Sequence, residues 1–247
     1  MIVRGRIGIG STSHVSKVEC RETGRFYARK TYRIDTKAVE YERAAIVLLR
    51  HLAHPNIVTY VEAVGRHIFM ELVPHTLSRV LDLKPEAVSL QHQGRQLFEA
   101  LVAIHSVNLA HLDVKPQNIL LTAKYDVKLA DFGLARQGGT YDKVVTLWYR
   151  PPELLQGGRA GCITDVWSAG CVLYEMVTQR VLFPHGDEIL QLELILNTLK
   201  QPHQRLPMLN DMVTTLGRRL TSRECLEKYF ESPNGEKRTC IREEPTS

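Results

Sequence analysis

Long apolar runs are missing from this sequence of 247 residues. No run approaches the roughly 18 apolar residues that a membrane-spanning helix needs, so no membrane partner is expected. The N-terminal stretch MIVRGRIGIGST also lacks the apolar segment of a secretory signal peptide, which favours a location in the cytoplasm or the nucleus. The hydrophobic fraction of 44% is ordinary, and the length suits one large domain or two small lobes with a buried core.

Paired cysteines and basic runs are missing as well. The five cysteines are odd in number and scattered, and no CxxC occurs, so we expect reduced thiols rather than disulfides or a zinc site. No long run of Lys and Arg accompanies the net charge of +5, so a nucleic-acid partner is not expected. The positive charge is compatible with an anionic ligand such as a nucleotide.

The sequence pattern of residues 1–73 predicts a small β-rich lobe. Strand-like runs at residues 15–20 and 26–32 flank a turn signal at Gly24, and apolar spacing predicts a helix over residues 38–52. The stretches HPNIVTYVEAV and HIFMELV predict two further strands.

The apolar spacing in residues 74–232 predicts a larger, mostly helical lobe, with helices over residues 90–105 and 164–178. The polar tail, residues 233–247, is expected to be loose. Together these patterns indicate an α+β fold of two lobes in a single domain, and the cleft between the lobes is the expected ligand site.

A glycine-bearing turn and a lysine lie on neighbouring strands. Gly8 and Gly10 leave the backbone free to approach a phosphate. The alternative is an ordinary glycine-bearing hairpin with no ligand. Lys30 could bind the same phosphate if its strand faces the turn, or it could simply be solvated.

The stretch HLDVKPQNILL carries the strongest chemical pattern. The Asp113 carboxylate can accept a proton from a hydroxyl, and Lys115 can neutralise a developing phosphate charge. Asn118, together with Asp131 of LADFGLA, can hold Mg²⁺. The alternative is a purely structural turn rich in Asp and Asn.

Seven stretches occur in the order typical of eukaryotic protein kinases: GIGSTSHV, YARK, HPNIV, HLDVKPQNILL, ADFGLAR, TLWYRPPELL and DVWSAGCVLYEM. The chain resembles this family from about residue 7 to about residue 230, and it resembles the cyclin-dependent and MAP kinase branch most. The resemblance implies a bilobal kinase fold, with a small antiparallel sheet and one helix in the first lobe and a larger, mostly helical second lobe.

The resemblance also implies an ATP- and Mg²⁺-dependent Ser/Thr protein kinase. It assigns Asp113 as the catalytic base, Lys115 and Lys30 as phosphate-binding catalytic residues, and Asn118 and Asp131 as metal ligands. The implied ATP-binding residues are Ile7, Gly8, Gly10, Val15, Ala28, Lys30, Met70, Glu71, Val73 and Leu120.

Other positions acquire supporting roles by the same resemblance. By the resemblance, HLDVKPQNILL, residues 111–121, is the catalytic loop. His111 would support Phe132, Asp165 would brace the catalytic loop, and Glu153 would form a buried ion pair with Arg219.

Two further positions bear on the substrate. Thr146 resembles a threonine that contacts the catalytic aspartate and marks Ser/Thr specificity. Arg150 resembles a residue of proline-directed members, so the expected protein substrates carry Ser or Thr, followed in this interpretation by Pro.

Three positions depart from the family pattern, and the first is Ser13, which stands where a third glycine is expected. Ala45 stands where the family has a glutamate paired with the strand lysine. Glu42 lies one helical turn earlier on the same face, so we weigh a Glu42–Lys30 pair against a solvated Glu42 and a loosely held Lys30. Leu112 replaces an arginine that binds an activating phosphate, which predicts activity without phosphorylation of the activation segment, residues 131–153.

Other departures concern partners and docking. No cyclin-binding helix signature is present, so a cyclin partner is not supported. The stretch between residues 199 and 208 is shorter than in the related branch, which argues against docking there. A pseudokinase that binds nucleotide or acts as a scaffold is the main alternative function, and a small-molecule kinase is a third.

Overall fold

The N-terminal part folds as a five-stranded antiparallel sheet in the order β1-β2-β3-β5-β4. The computed structural model describes residues 1–34, 37–138, 145–200 and 220–230. The five strands are β1 (Ile2–Ile9), β2 (Ser13–Glu19), β3 (Phe26–Tyr32), β4 (Tyr60–Val64) and β5 (His67–Glu71).

The turn between β2 and β3 forms where it was predicted. Gly24 has a φ of 67°, a left-handed conformation that glycine adopts without steric cost. The strand predicted from HPNIVTYVEAV begins only at Tyr60, because the preceding residues turn to pair with the second lobe instead. Val58 donates its N–H to the carbonyl of Leu129 at 3.0 Å.

Helix α1 (Lys37–Leu52) is the one helix found in the described part of the first lobe. Its inner face is buried and follows the spacing of one helical stripe: Val39, Glu42, Ala45, Ile46 and Leu49. The helix ends at Leu52, and the next residue, Ala53, has a left-handed φ of 43° and donates its N–H to the carbonyl of Leu49.

The second lobe is mostly helical, with short strands that carry the loops of the cleft. Its strands are β6 (His75–Thr76), β7 (Leu109–Ala110), β8 (Ile119–Leu121), β9 (Val127–Leu129) and β10 (Arg136–Gln137). Its helices are α2 (Leu77–Leu83), α3 (Arg95–Ser106), α4 (Pro152–Leu155), α5 (Cys162–Thr178), α6 (Glu188–Lys200) and α7 (Ser222–Phe230). Helix α5 is the centre of this lobe, since most of its side chains are buried.

The helix predicted over residues 90–105 begins differently from expectation. Residues Leu90–Gly94 form a π-helical turn, and the α-helix starts at Arg95. A Cβ on Gly94 would lie 2.9 Å from the Leu173 side chain and 3.2 Å from the Phe230 ring, so both α5 and α7 pack closely against this glycine.

The expected two-lobed α+β kinase fold is confirmed by this architecture. Several expectations lie outside the described residues: the Glu153–Arg219 pair, the short connection after residue 199, and the tail at residues 233–247. Among the described helices, none combines the length and the apolarity that crossing a bilayer would take.

Candidate active site

A cavity of about 660 Å³ lies between the sheet and the second lobe. Every residue predicted to bind ATP lines it except Gly10, and Glu42, Asn118 and Asp131 lie at its inner end. Gly10 lines an adjoining cavity of about 610 Å³, which also reaches Asp113, Lys115 and Thr146. Gly8, Lys30, Asn118 and Asp131 border both spaces, so one ligand can extend from the first cavity into the second.

Sheet register decides which side chains face the cavity from above. Val15 is paired with Lys30 and Lys17 with Ala28, so Val15 and Ala28 lie close together on neighbouring strands. Leu120 of β8 lines the cavity from the second lobe. These three apolar side chains form two walls between which a flat aromatic ring would fit.

The segment that joins the two lobes is tied to the second lobe through Glu71. The Glu71 carboxylate accepts from Lys128 and from the N–H of Thr59, at 2.8 Å and 2.7 Å. Its own backbone N–H donates to the Thr59 carbonyl. The Glu71 carbonyl and the Val73 backbone are therefore the polar groups that this segment offers to a ligand.

Lys30 forms two ion pairs at the inner end of the cavity. Its Nζ lies 2.8 Å from Oε2 of Glu42 and 2.7 Å from Oδ1 of Asp131. Burial by itself lowers the pKa of Lys30, but the two carboxylates outweigh it and hold the pKa well above its usual value. Desolvation raises the pKa of Asp131, yet the Lys30 ammonium leaves it below its usual value. Both groups are therefore charged at neutral pH.

The hypothesis that Glu42 pairs with Lys30 is confirmed, and the alternative of a solvated Glu42 is wrong. The Glu42 side chain is fully buried, whereas Ala45 carries no polar group to offer. Two hydroxyls that the sequence did not single out also donate to Glu42: Tyr32 at 2.5 Å and Tyr60 at 3.1 Å.

Asp113 lies at the centre of a polar cluster in the second cavity. Its Oδ1 accepts from Oγ1 of Thr146 at 2.7 Å, and its Oδ2 accepts from Nδ2 of Asn118 at 2.8 Å. Lys115 reaches both Oδ2 of Asp113, at 2.7 Å, and the Thr146 hydroxyl, at 2.9 Å. The predicted contact between Thr146 and Asp113 is confirmed.

His111 lies fully buried beneath this cluster. The N–H of Asp113 donates to Nδ1 of His111, while Nε2 lies 2.9 Å from the carbonyl of Ala130. These partners assign a neutral ring with its proton on Nε2. The ring packs edge-on against Phe132, with centroids 4.7 Å apart, which confirms the predicted support.

Asp165 braces the catalytic loop as predicted. Its two carboxylate oxygens accept from the N–H groups of His111 and Leu112, both at 2.7 Å. His105 lies 2.9 Å from the same carboxylate and 3.0 Å from the hydroxyl of Ser222 in α7. Sequence reasoning missed His105, since it stands as an ordinary polar residue near the end of a helix.

Leu112 is fully buried and has a left-handed φ of 64°. It belongs to a separate apolar cluster with Ala110, Val145 and Ala160. The Asp165 hydrogen bond to its N–H holds this unusual backbone conformation. Leu112 thus joins the catalytic loop to Val145 through apolar packing alone.

Val145 and Arg150 form a second unusual arrangement beside Thr146. Val145 has a φ of 78°, which is rare for a β-branched residue. Its carbonyl accepts from Nε and the terminal Nη2 of Arg150, at 3.2 Å and 2.9 Å. The other Nη of Arg150 bonds Glu188 at 2.6 Å.

The residues predicted to bind magnesium fit a cation shared with phosphates. Among the described residues, no group of three or more His, Cys, Asp or Glu side chains could hold a metal alone. The amide nitrogen of Asn118 is engaged by Asp113, so its amide oxygen is the ligand atom that remains. That oxygen and the Asp131 carboxylate suit Mg²⁺, which takes few protein ligands beside phosphate oxygens.

The arrangement of lobes, cleft and polar clusters is that of a protein kinase. A family model described as the protein kinase domain matches residues 1–230, and the chain belongs to this family.

Relatives with known names agree with the predicted cyclin-dependent and MAP kinase branch. Cyclin-dependent kinase 1 of Encephalitozoon cuniculi is 38% identical over 217 residues, which cover 80% of this chain and 73% of that protein. Cyclin-dependent kinase-like 4 of Mus musculus is 38% identical over 215 residues, covering 78% and 61%. The CTD kinase subunit alpha of Schizosaccharomyces pombe is 36% identical over 214 residues, covering 80% and 36%. The match spans less than two thirds of the last two proteins.

Proposed function

We propose that this protein kinase is active and transfers the γ-phosphate of ATP to Ser or Thr hydroxyls of proteins. One observation carries the proposal: Asp113 faces the second cavity with both oxygens hydrogen-bonded, next to a formed Lys30–Asp131 ion pair. A scaffold without turnover would not need these charged groups in one continuous space.

In this proposal ATP occupies both joined cavities. The adenine lies between Val15, Ala28 and Leu120, where Glu71 and Val73 offer backbone groups. The phosphates pass Gly8 toward Lys30, whose ammonium binds them. Asn118 and Asp131 would hold Mg²⁺, which neutralises charge on the phosphate oxygens when bound.

Asp113 accepts the proton of the substrate hydroxyl as the hydroxyl oxygen bonds to the γ-phosphorus. The bond from that phosphorus to the bridging oxygen breaks, and ADP leaves with the electron pair. Lys115 stabilises the transferred group because its ammonium lies between Asp113 and Thr146. Thr146 holds the carboxylate in line and supports the preference for Ser and Thr.

A proline after the phosphorylated residue is favoured by Val145 and Arg150. Arg150 occupies the Val145 carbonyl with two N–H donors. A substrate backbone N–H at this point would lose its hydrogen bond to water and find no free acceptor. Proline has no N–H and suffers no such loss.

Activity without phosphorylation of the activation segment follows from Leu112. A leucine offers no donor to a phosphate, and here it is fully buried among apolar side chains. Packing against Val145 supplies the connection between the catalytic loop and the substrate-binding stretch.

A cyclin is not required in this proposal, although two relatives carry cyclin-dependent kinase names. The Lys30–Glu42 pair is formed in the chain alone. The exposed face of α1 carries the charged residues Lys37, Glu40, Arg43 and Arg50 beside the apolar Val47.

The proposal is tested with labelled MgATP and a peptide library that contains both Ser-Pro and Ser-Xaa sequences. Asp113→Asn serves as the control, because it keeps the shape and removes the base. Transfer above this control, with Ser-Pro peptides preferred, is expected. Binding of MgATP without transfer would instead favour the pseudokinase.

A further inference from the structure

The Glu42 carboxylate is fully enclosed and has three donors around it. Its Oε2 accepts from Lys30 and from the hydroxyl of Tyr32, and its Oε1 accepts from the hydroxyl of Tyr60. A buried carboxylate is stable only when both oxygens are hydrogen-bonded. Lys30 donates to Oε2 only, so Oε1 depends on the Tyr60 hydroxyl, and the Tyr32 hydroxyl adds a second donor to Oε2.

The three donors come from the sheet and are aimed at one point. Tyr32 follows Lys30 by two residues in β3, so both side chains lie on the same face of the strand. Tyr60 opens β4 at the other side of the sheet. Helix α1 brings Glu42 to the place where these three groups converge.

Contacts with the second lobe fix where the tyrosines stand. A Cβ on Gly133 would lie 2.8 Å from the Tyr32 hydroxyl, so the turn after Asp131 packs directly against that oxygen. The Tyr60 ring packs edge-on against Phe132, with centroids 6.4 Å apart. Neither hydroxyl can swing far from Glu42 without displacing the residues that follow Asp131.

Loss of the hydroxyls would change how Lys30 is shared. Lys30 lies between Glu42 and Asp131 at similar distances, 2.8 Å and 2.7 Å. If the Glu42 carboxylate were less firmly held, the ammonium would be drawn toward Asp131. It would then be misplaced for the phosphates.

We propose that the hydroxyls of Tyr32 and Tyr60 are positioning groups. They hold the Glu42 carboxylate, which lies one helical turn before Ala45, in its ion pair with Lys30, and so keep the Lys30 ammonium in place to bind phosphate. The inference rests on the proposed ATP-binding role of Lys30. The Tyr60 hydroxyl acts through Glu42, and the Tyr32 hydroxyl does the same although the Tyr32 ring also lies under the Lys30 ammonium and borders the second cavity.

Phenylalanine substitutions isolate the hydroxyls. Tyr32→Phe keeps the ring beneath the Lys30 ammonium, 4.7 Å from its centroid, and Tyr60→Phe keeps the contact with Phe132. Tyr229→Phe, at a buried tyrosine of α7, is the matched control for the same side-chain change away from both cavities.

Calorimetry measures the affinity for MgATP, and steady-state kinetics measure the KM values for MgATP and for the peptide. Each single variant is expected to weaken MgATP binding and raise its KM severalfold, up to about tenfold, which is the limit reached if the whole free energy of one hydrogen bond to a charged group is lost from the bound state alone. The double variant is expected to lose more, and the peptide KM should stay within about twofold. Tyr229→Phe should leave both constants unchanged. Thermal unfolding identifies any variant that fails to fold. If the double variant does not fold, the MgATP affinities of the two single variants test the inference.

Two results would overturn the inference: wild-type MgATP affinity in a folded single variant, or a parallel rise of both KM values. Calorimetry separates this inference from the proposed function. A wild-type chain that binds MgATP but transfers nothing defeats the kinase proposal alone, while the tyrosines are still judged by affinity. A wild-type chain that does not bind MgATP defeats both.

Discussion

Lys30 of β3 and Glu42 of α1 form an ion pair of 2.8 Å, although Glu42 lies one helical turn before Ala45, the position at which the family pattern has a glutamate. The pair forms because both residues 42 and 45 belong to the buried stripe of the helix. Tyr32 and Tyr60 then supply the hydrogen bonds that the displaced carboxylate needs. A change in sequence that looks like the loss of a functional residue is thus compensated by its surroundings.

Replacing Glu42 is expected to damage both stability and nucleotide binding. Glu42→Ala leaves Lys30 with Asp131 alone and strands two buried hydroxyls, which should cost about 3 kcal/mol of unfolding free energy. The KM for MgATP should rise at least about tenfold. Urea unfolding and steady-state kinetics measure the two effects.

Glu40→Ala is the matched control, because Glu40 is exposed on the same helix. It should change the unfolding free energy by less than about 0.5 kcal/mol. Equal behaviour of the two variants would show that the buried pair contributes nothing.

Sequence reasoning located the chemical groups better than it located their supports. Lys30, Asp113, Asn118 and Asp131 were predicted to share one site, because seven kinase-like stretches in order assigned them to it, and the structure brings them to the two joined cavities. The Tyr32 and Tyr60 hydroxyls were missed, since a tyrosine in a strand reads as an ordinary core residue.

Backbone conformation was equally hidden from the sequence. Val145 adopts a left-handed φ that its β-branched side chain disfavours, so no local pattern indicated it. The bond between its carbonyl and Arg150 depends on that conformation. The strand predicted from residue 54 was too long for a related reason: periodicity did not reveal that Val58 pairs with Leu129.

Arg150→Ala should relax the selectivity for proline. The Val145 carbonyl would lose both of its guanidinium donors and become free to accept a substrate N–H. We expect the ratio of kcat/KM for Ser-Pro over Ser-Ala peptides to fall about fivefold to tenfold, the value of one recovered hydrogen bond. Glu188→Gln keeps the guanidinium on Val145 while weakening its other contact, so it should preserve the ratio. An unaltered ratio in Arg150→Ala would remove the basis for proline direction.

Phosphatase treatment should leave the wild-type rate within about twofold, because Leu112 has no donor with which to bind a phosphate. Restoring the family's arginine should be harmful rather than activating. Leu112→Arg would bury a charge among Ala110, Val145 and Ala160, so a loss of several kcal/mol of stability is expected. Thermal unfolding and assays before and after phosphatase check both statements. A large fall in the wild-type rate after phosphatase, or a stable and faster Leu112→Arg, would refute the packing argument.

Glu175 of α5 should make stability depend on pH. Partial burial, together with the nearby negative charge of Asp82, raises the pKa of Glu175, although the hydroxyl of Tyr149 donates to it at 2.7 Å. A carboxyl whose folded pKa exceeds its unfolded value binds its proton more tightly in the folded state. Its contribution is therefore favourable below the unfolded pKa and is lost as the pH rises through the folded pKa.

Glu175→Gln removes this titration and keeps an amide oxygen that can accept from Tyr149. The difference in Tm between Glu175→Gln and wild type should therefore be more positive at a pH near 8 than at a pH near 4. Thermal unfolding across that range measures the difference, and Glu99→Gln, on the partly exposed carboxylate that pairs with Arg95, is the control. A difference that stayed constant with pH would mean that Glu175 titrates as it does in the unfolded chain. Its burial beside Asp82 would then carry no electrostatic cost.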